Sequence, residues 1–320
     1  MNKENVYKIV TNRIIDSLMN GVIPWRQTWI RPVNKDKSVC TNALTGKGYS
    51  LLNCLLLGAP GEYASFKQIK QMKGTLRKGS KSRMVIYWGS YIPKDRKDEA
   101  KRLEEEGKST DHLKVFFPKY YNVFSMDDVE GVERKKTDEP RAVAAEDPVG
   151  MSRLVIRDYT RAQQVELVES TTDEPHYNAP LDCVILPPKD CFTYEEDYLA
   201  ALFAGLAHST AAPERLNREK EYKRMLEDET STKEELVAEI ASSMLLLSCG
   251  LRRQETHQQI DAACQKWIQA MSTDSTLVIQ AVNAAEKASK YILGDKIHQE
   301  ETEVAEDETE EAAEGVKDAA

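Results

Sequence analysis

Val6, Ile9, Val10, Ile14 and Leu18 recur at the three- and four-residue spacing of one helical face, which predicts an amphipathic helix over residues 4–19 with Gly21 as its C-cap. The pattern then breaks, because Pro24, Trp25, Trp29 and Pro32 combine breakers and large aromatics in a way that excludes a helix interior. A turn-rich loop over 42–49 leads into the apolar run 51–57, read as a short helix starting near Ser50. Ser65 is placed to cap a second helix over 66–72. Residues 75–78, bracketed by Gly74 and Gly79, read as a strand and turn. Val85, Ile86, Tyr87 and Trp88 favour a strand over 84–91, and strand character returns over 115–124. The charged stretch 95–110 between them reads as an exposed insertion or a solvated helix.

A polar segment with Pro140 and Pro148 then separates two halves. Beyond it the periodicity predicts helices over 152–170, 194–208, 233–247, 255–269 and 275–293, with one short strand over 181–186 between Pro180 and Pro187. The expected fold is α+β in two domains, each with its own core, as suits 320 residues of which 41% are hydrophobic. The boundaries are 1–137 for the first domain, 138–150 for a linker, 151–298 for a mainly helical second domain and 299–320 for an acidic, disordered tail.

Charge changes this picture more than composition does. The net charge of −9 hides a first half with 26 Lys and Arg against 16 Asp and Glu up to Asp138, and a remainder with 18 against 37. Ions screen charge over roughly 10 Å, so each half acts on its partners separately. Six scattered cysteines without a CxxC pair suggest reduced thiols in a cytoplasmic protein, and no apolar run approaches the roughly 20 residues of a bilayer span, so no membrane partner is expected.

Lys67, Lys70, Lys73, Arg77, Lys78, Lys81 and Arg83 fall within 17 residues that contain no acid. Fixed positive groups displace counterions from a phosphate backbone, so this density points to salt-dependent, sequence-poor nucleic-acid binding; a solvated surface strip is the plainer alternative. Trp25, Trp29, Tyr49 and Tyr87, in or beside loops, would add faces on which single-stranded bases stack. Tyr87 and Trp88 are adjacent in a strand and cannot both face outward. No zinc-finger spacing, glycine-rich phosphate loop or helix-turn-helix pattern is present, which disfavours sequence-specific reading of duplex DNA.

The stretches GVIPWRQTW (21–29), NALTGKGYSLLN (42–53), FKQIKQMKGTLRKGSKSRMVIYW (66–88) and YYNVFSMDDVEG (120–131) resemble the N-terminal domain of ArdC-like antirestriction proteins of conjugative plasmids and related mobile elements. The resemblance implies single-stranded DNA as a partner and protection of incoming DNA from host restriction. It points to Trp25 and Trp29, to Asn42, Thr45, Tyr49 and Asn53 in and beside an N-x-x-T-G-x-x-Y loop, and to the basic strip ending at Arg83 and Tyr87. Ser50 and Leu51 depart from the arginine or glycine of the family pattern.

In the second half, FAGLAHST (203–210) occupies a helix. A zinc peptidase needs two histidines one turn apart and a glutamate beside the first, written HExxH. The corresponding positions read Ala204, Gly205, Leu206, Ala207 and His208. Downstream, Glu235 and Glu239 lie four apart on one helical face. With YNAPLDCVILPPKDCF (177–192), ERLNR (214–218) and KEELVAEI (233–240), this region resembles the metallopeptidase-like C-terminal domain of the same proteins. That implies a zincin-like fold with vestigial ligands at His208, Glu235 and Glu239, and zinc as the cofactor of the resembled family. Alanine and glycine carry no donor atom, so no catalytic residue, cofactor or bound zinc is expected here. Taken alone, His208 on a mainly apolar helix reads more readily as a satisfied core histidine than as a ligand, and the two glutamates can serve as partners of bases such as Lys233. Gly205, which costs a helix about 1 kcal/mol relative to alanine, has no explanation in the sequence.

The leading expectation is therefore a non-enzymatic, single-stranded-DNA-binding antirestriction-type protein. A decoy acting on a host restriction or defence protein, suggested by the acidic tail, is the second. A metal-dependent peptidase or nuclease with a rebuilt site is the third.

Overall fold

Helix α1 (Lys3–Met19) forms where the apolar stripe predicts it, and Val6, Val10, Ile14 and Leu18 are all buried. The computed structural model describes residues 3–27, 39–132, 147–171, 174–227, 229–254 and 257–294; Trp29 and the acidic tail lie outside these. The first half is built on a sheet ordered β1 (Cys40–Asn42), β2 (Gly61–Ser65), β5 (Val115–Ser125), β4 (Arg83–Tyr91). The β4–β5 pair is antiparallel over its whole length, from Arg83 opposite Val123 to Tyr91 opposite Val115. Strand alternation sends Val85 and Tyr87 into one apolar cluster with Tyr49 and Tyr63. Met84, Ile86 and Trp88 go to the other face, where the Trp88 ring lies 6.4 Å from Tyr7 of α1. Neither Tyr87 nor Trp88 is therefore a free aromatic.

Ser50 caps α2 (Leu51–Leu57), and Ser65 caps α3 (Phe66–Gln71) in a reciprocal box with Gln68. The short strands β3 (Thr75–Leu76) and β6 (Val129–Glu130) pair beyond it, and the charged insertion holds the solvated helix α4 (Lys97–Glu105). Asn53 has a structural task. Its buried amide donates to the Ile86 carbonyl at 2.9 Å and accepts from the Ile86 N–H at 2.7 Å, pinning α2 to β4.

The second half starts earlier than expected. Asp147 caps and Pro148 opens α5 (Pro148–Gln163), two features that favour a helix start inside the anticipated linker. The helix stops where Gln164 turns left-handed at φ 57°, so residues expected to continue it form β7 (Glu166–Glu169) instead. Strand β7 runs parallel to β9 (Cys183–Leu186), and β8 (His176–Asn178) pairs antiparallel on the other side. This small sheet lies against α6 (Glu195–Ser209), followed by α7 (Glu219–Leu226), α8 (Thr232–Ser248), α9 (His257–Thr273) and α10 (Leu277–Ile292). Strand β8 and helix α7 were not anticipated; both are short and carry few apolar positions.

The first half keeps two small apolar clusters of its own, but the largest core runs across both halves. Val10, Ile14, Trp25, Leu52 and Met84 of the first half share a continuous core with Leu245, Val278 and Val282 of the second. Every residue of α2 is buried, and a helix apolar all round must be covered on all sides; α10 supplies the cover. Polar bonds also tie the seam, among them those from the Thr11 hydroxyl to the Ser275 carbonyl at 2.7 Å and from the Leu51 N–H to Glu286 at 2.9 Å. The intact chain should therefore unfold in one cooperative transition, with tryptophan fluorescence and circular dichroism coinciding in a urea titration. Two separated transitions would contradict the shared core.

Candidate functional site

Helix α3 and the turn after it set out the basic strip. Lys67, Lys70, Lys73, Arg77, Lys78 and Lys81 are exposed, and Lys73, Lys78 and Lys81 have no ion-pair partner among the described residues. Arg77 lies 3.4 Å from Glu130 and donates to the Asp127 carbonyl. Arg83 belongs to the fold instead, donating to the Leu57 carbonyl at the end of α2 and lying over the Tyr63 ring. Phe66, which the sequence reading did not single out, is 49% exposed at the start of α3 with the Lys70 ammonium 4.7 Å from its ring centre. Its position as the first residue after a capping serine, where an apolar side chain has little core to reach, was the available signal.

The loop beside it is organised from within. Asn42 accepts the N–H groups of Leu44 and Thr45 at 3.1 Å, and its amide donates to the Tyr49 hydroxyl and to Gln68 of α3. Asn42 and Tyr49 are buried scaffolding, while the tip they support exposes Thr45 and Lys47 next to α3. Three of the four aromatics expected to offer faces do not do so. Trp25 is fully buried, Tyr49 is 7% exposed, and Tyr87 packs edge-on against Tyr121 at 5.5 Å. The physical reason is apolar area: Trp25 leaves water inside the shared core, while Tyr49 and Tyr87 pack into a separate cluster of the first half. Trp29 lies outside the described residues.

In the second half, Ala204, Gly205, His208 and Glu235 line one cleft of about 280 Å³ together with His176 and Tyr177 of β8. His208 Nδ1 lies 3.3 Å from Glu234, a carboxylate with no exposed surface that also takes two hydrogen bonds from Arg218. Burial works against the charge of Glu234, but the contacts with His208 and Arg218 outweigh it and hold its carboxyl below the ordinary range. Glu235, one position on, pairs with Lys266 at 2.8 Å. Helical phase separates these neighbours, and residue spacing alone could not tell which would face His208.

Glu239 is not at the cleft, which corrects its reading as a ligand of a metal or a support for one. Its carboxylate accepts from Arg26 at 2.8 Å, from the Trp25 indole N–H at 3.3 Å and from Arg253 at 3.0 Å. Burial opposes its charge, and the Arg253 and Arg26 guanidiniums overcome that and bring the pKa to about 2. This carboxylate joins the turn at Pro24–Arg26 to α8.

Residues 4–124 match the N-terminal domain of anti-restriction factor ArdC, and residues 156–285 match the zincin-like metallopeptidase family. The chain is ArdC-like in both halves. Two crystal structures of the antirestriction ArdC protein from the R388 plasmid, one metal-free and one with Mn(II) bound, are similar at a TM-score of 0.61 each. They are 26% and 25% identical, over 89% and 90% of this chain and 96% and 97% of theirs. An Escherichia coli protein, DNA primase TraC, is 27% identical over 309 residues, or 91% of this chain; the chain spans only 27% of that relative's length. Among the described residues no helix is long and apolar enough to cross a membrane.

The residues present in this ArdC-like cleft do not fit a zinc ion. Ala204 and Gly205 have no donor and Glu235 is paired with Lys266, which leaves His208, oriented through Nδ1 by Glu234, as a lone imidazole donor on α6. Among the described residues no three His, Cys, Asp or Glu side chains are grouped to hold a metal. The structure also supplies the missing explanation for the glycine. A Cβ at position 205 would lie 2.4 Å from Cγ1 of Val184, a stiff, fully buried side chain in the central strand β9. The sheet has closed onto the helix where a glutamate would begin.

Two outcomes follow from this geometry. Gly205→Ala should destabilise by about 1–3 kcal/mol despite alanine's better helix propensity, because it overpacks the contact with Val184. Combining it with Val184→Ala should give less than the sum of the two losses in urea denaturation, and simple additivity would contradict the contact. The second outcome concerns acid. The folded pKa of Glu239 lies below its ordinary 4.5, so the stability it contributes is present above 4.5 and is lost as pH falls toward about 2. That contribution is on the order of 3 kcal/mol. Glu239→Gln should be less stable than the parent at pH 7, with the difference shrinking across that window; a constant difference would contradict the assignment.

Proposed function

We propose that the chain binds single-stranded DNA through its first half and protects DNA of a mobile element from restriction, with the metallopeptidase-like half acting as a non-catalytic support. The observation that carries this is the run of exposed bases from Lys67 to Lys81 with Phe66 at its edge and the Thr45–Lys47 tip alongside. Lys73, Lys78 and Lys81 have no ion-pair partner among the described residues, so a phosphate backbone displaces only counterions there. Phe66 offers a ring to an unpaired base, a contact worth about 1–3 kcal/mol. The antirestriction role draws on the names of the ArdC relatives, and the link to DNA is shared by the primase named above. A cytoplasmic location is part of the same reading.

Catalytic inactivity rests on the donor set. A catalytic zinc ordinarily takes three protein ligands and leaves one position for water. A rebuilt metal site would have to draw on His176, which lines the cleft, and with His208 it would still hold only two imidazoles, since Glu235 is paired with Lys266.

Titration of fluorescent single- and double-stranded oligonucleotides with the full chain at several salt concentrations tests the binding. Single strands should bind tighter. Replacing Lys73, Lys78 and Lys81 together with alanine should lower the slope of log K against log salt by about 0.7 per lost phosphate contact. Phe66→Ala should weaken binding without changing the slope, and equal affinity for both DNA forms would remove the stacking component. For the second half, the dialysed protein should hold no stoichiometric zinc and cleave no peptide in added zinc. Activity abolished by His208→Ala would overturn the inactive reading. Ala204→His with Gly205→Glu should fail to recover a zinc site unless Val184→Ala is added to open the contact.

A further inference from the structure

A second cleft, of about 330 Å³, lies between the Pro24–Arg26 turn and the C-terminal end of α8. Arg26, Gln27, Ser243, Arg252, Arg253 and Gln254 supply its polar lining, and among the described residues no acidic side chain lines it. Glu239 accounts for part of this charge, since its two oxygens hold Arg26 and Arg253. It leaves the rest unexplained. Arg252 is exposed and has no ion-pair partner among the described residues. Arg253 keeps a buried Nε–H with no acceptor, although its other guanidinium nitrogens are bonded to Glu239 and Ser242.

Among the described residues the cleft gathers three guanidiniums, of which Glu239 binds two and Arg252 meets no carboxylate, so it offers positive charge in a concave setting. Guanidinium is weakly hydrated, always charged and shaped as a planar fork, which suits the paired oxygens of a phosphate. Glu239 holds two of the three forks in fixed positions, so little ordering is left for the ligand to bring about. Two glutamines add neutral amide donors, one of which, Gln27, is only weakly engaged with the Ile23 carbonyl at 3.4 Å.

We propose that this cleft seats a phosphodiester group of bound nucleic acid, so that the strand held by the basic strip also contacts the peptidase-like half. The proposal rests on the DNA-binding reading above and gives the non-catalytic half a direct part in it. It also assigns a function to the seam between halves that the similarity to a peptidase does not.

Arg252 is the residue to test, because Arg26 and Arg253 cannot be removed without leaving Glu239 buried and unpaired. Full-length Arg252→Ala, Arg252→Glu and Arg252→Lys are compared with the parent and with the Lys73/Lys78/Lys81 triple-alanine variant, using a fluorescent oligothymidylate at several salt concentrations. Thermal melts confirm that each folds, as an exposed side chain allows. Arg252→Ala should lower the salt slope by about 0.7, independently of the strip, with Arg252→Glu weaker still and Arg252→Lys close to the parent slope. Unchanged affinity and slope in Arg252→Ala and Arg252→Glu, while the strip variant loses both, would overturn the seat and leave the DNA reading standing. Failure of the parent to bind the oligonucleotide would overturn both. Calorimetry with inorganic phosphate alone separates the two sources of this anion. No uptake is expected, and stoichiometric phosphate binding that Arg252→Ala abolishes would reassign the cleft to a free anion.

Discussion

The buried carboxylate of Glu239 holds the molecule together at its seam. It sits one turn beyond the cleft residue Glu235, yet it faces the first half and takes the Trp25 indole N–H and the guanidiniums of Arg26 and Arg253. Its side chain is 11% exposed, so water offers it little, and the arginines must supply what solvation is lost. Removing one partner of such a pair typically costs about 3–5 kcal/mol, because the other is left charged and buried. The same contacts fix Trp25 in the core and set the two arginines at the rim of a positive cleft. Cohesion of the halves and presentation of charge thus come from one group.

The zincin-like half lacks the first histidine and the glutamate of HExxH, and the packing at Gly205 leaves no room for that glutamate. An absent histidine and glutamate could be restored by substitution if their space were still there. At position 205 it is not, because Val184 of β9 occupies the direction a Cβ would take. His208 remains but faces a glutamate locked by Arg218, an arrangement that orients an imidazole as it would behind a metal ligand. What survives is the frame around a site, along with a core that the first half needs in order to bury α1 and α2.

Much of this was legible in the sequence. The stripe of α1, the caps at Ser50 and Ser65, the strand at Val85–Trp88 and the helices around His208 and Glu235 stand close to where periodicity places them. The missing HExxH donors were plain in the letters, and the cleft does gather Ala204, Gly205, His208 and Glu235. Three things were not legible, each for a physical reason. Burial of Trp25 depends on the second half covering it and that of Tyr49 on the packing of the first half's own sheet, and no local pattern records either. Glu234 differs from Glu235 only in helical phase, and Glu239 shares the face of Glu235 but meets different residues one turn on. Gly205 answers to a strand twenty residues upstream, whose approach shows only in three dimensions.

The central claim is that nucleic acid is held by the basic face and the seam, with the former peptidase cleft taking no part. Hydrogen–deuterium exchange of the full chain, with and without a saturating single-stranded oligonucleotide, tests it most directly. The account predicts added protection in the peptides covering residues 66–83 and 249–254, with none in those covering 175–178 and 201–208. Protection confined to the cleft peptides, with the basic strip unchanged, would contradict it.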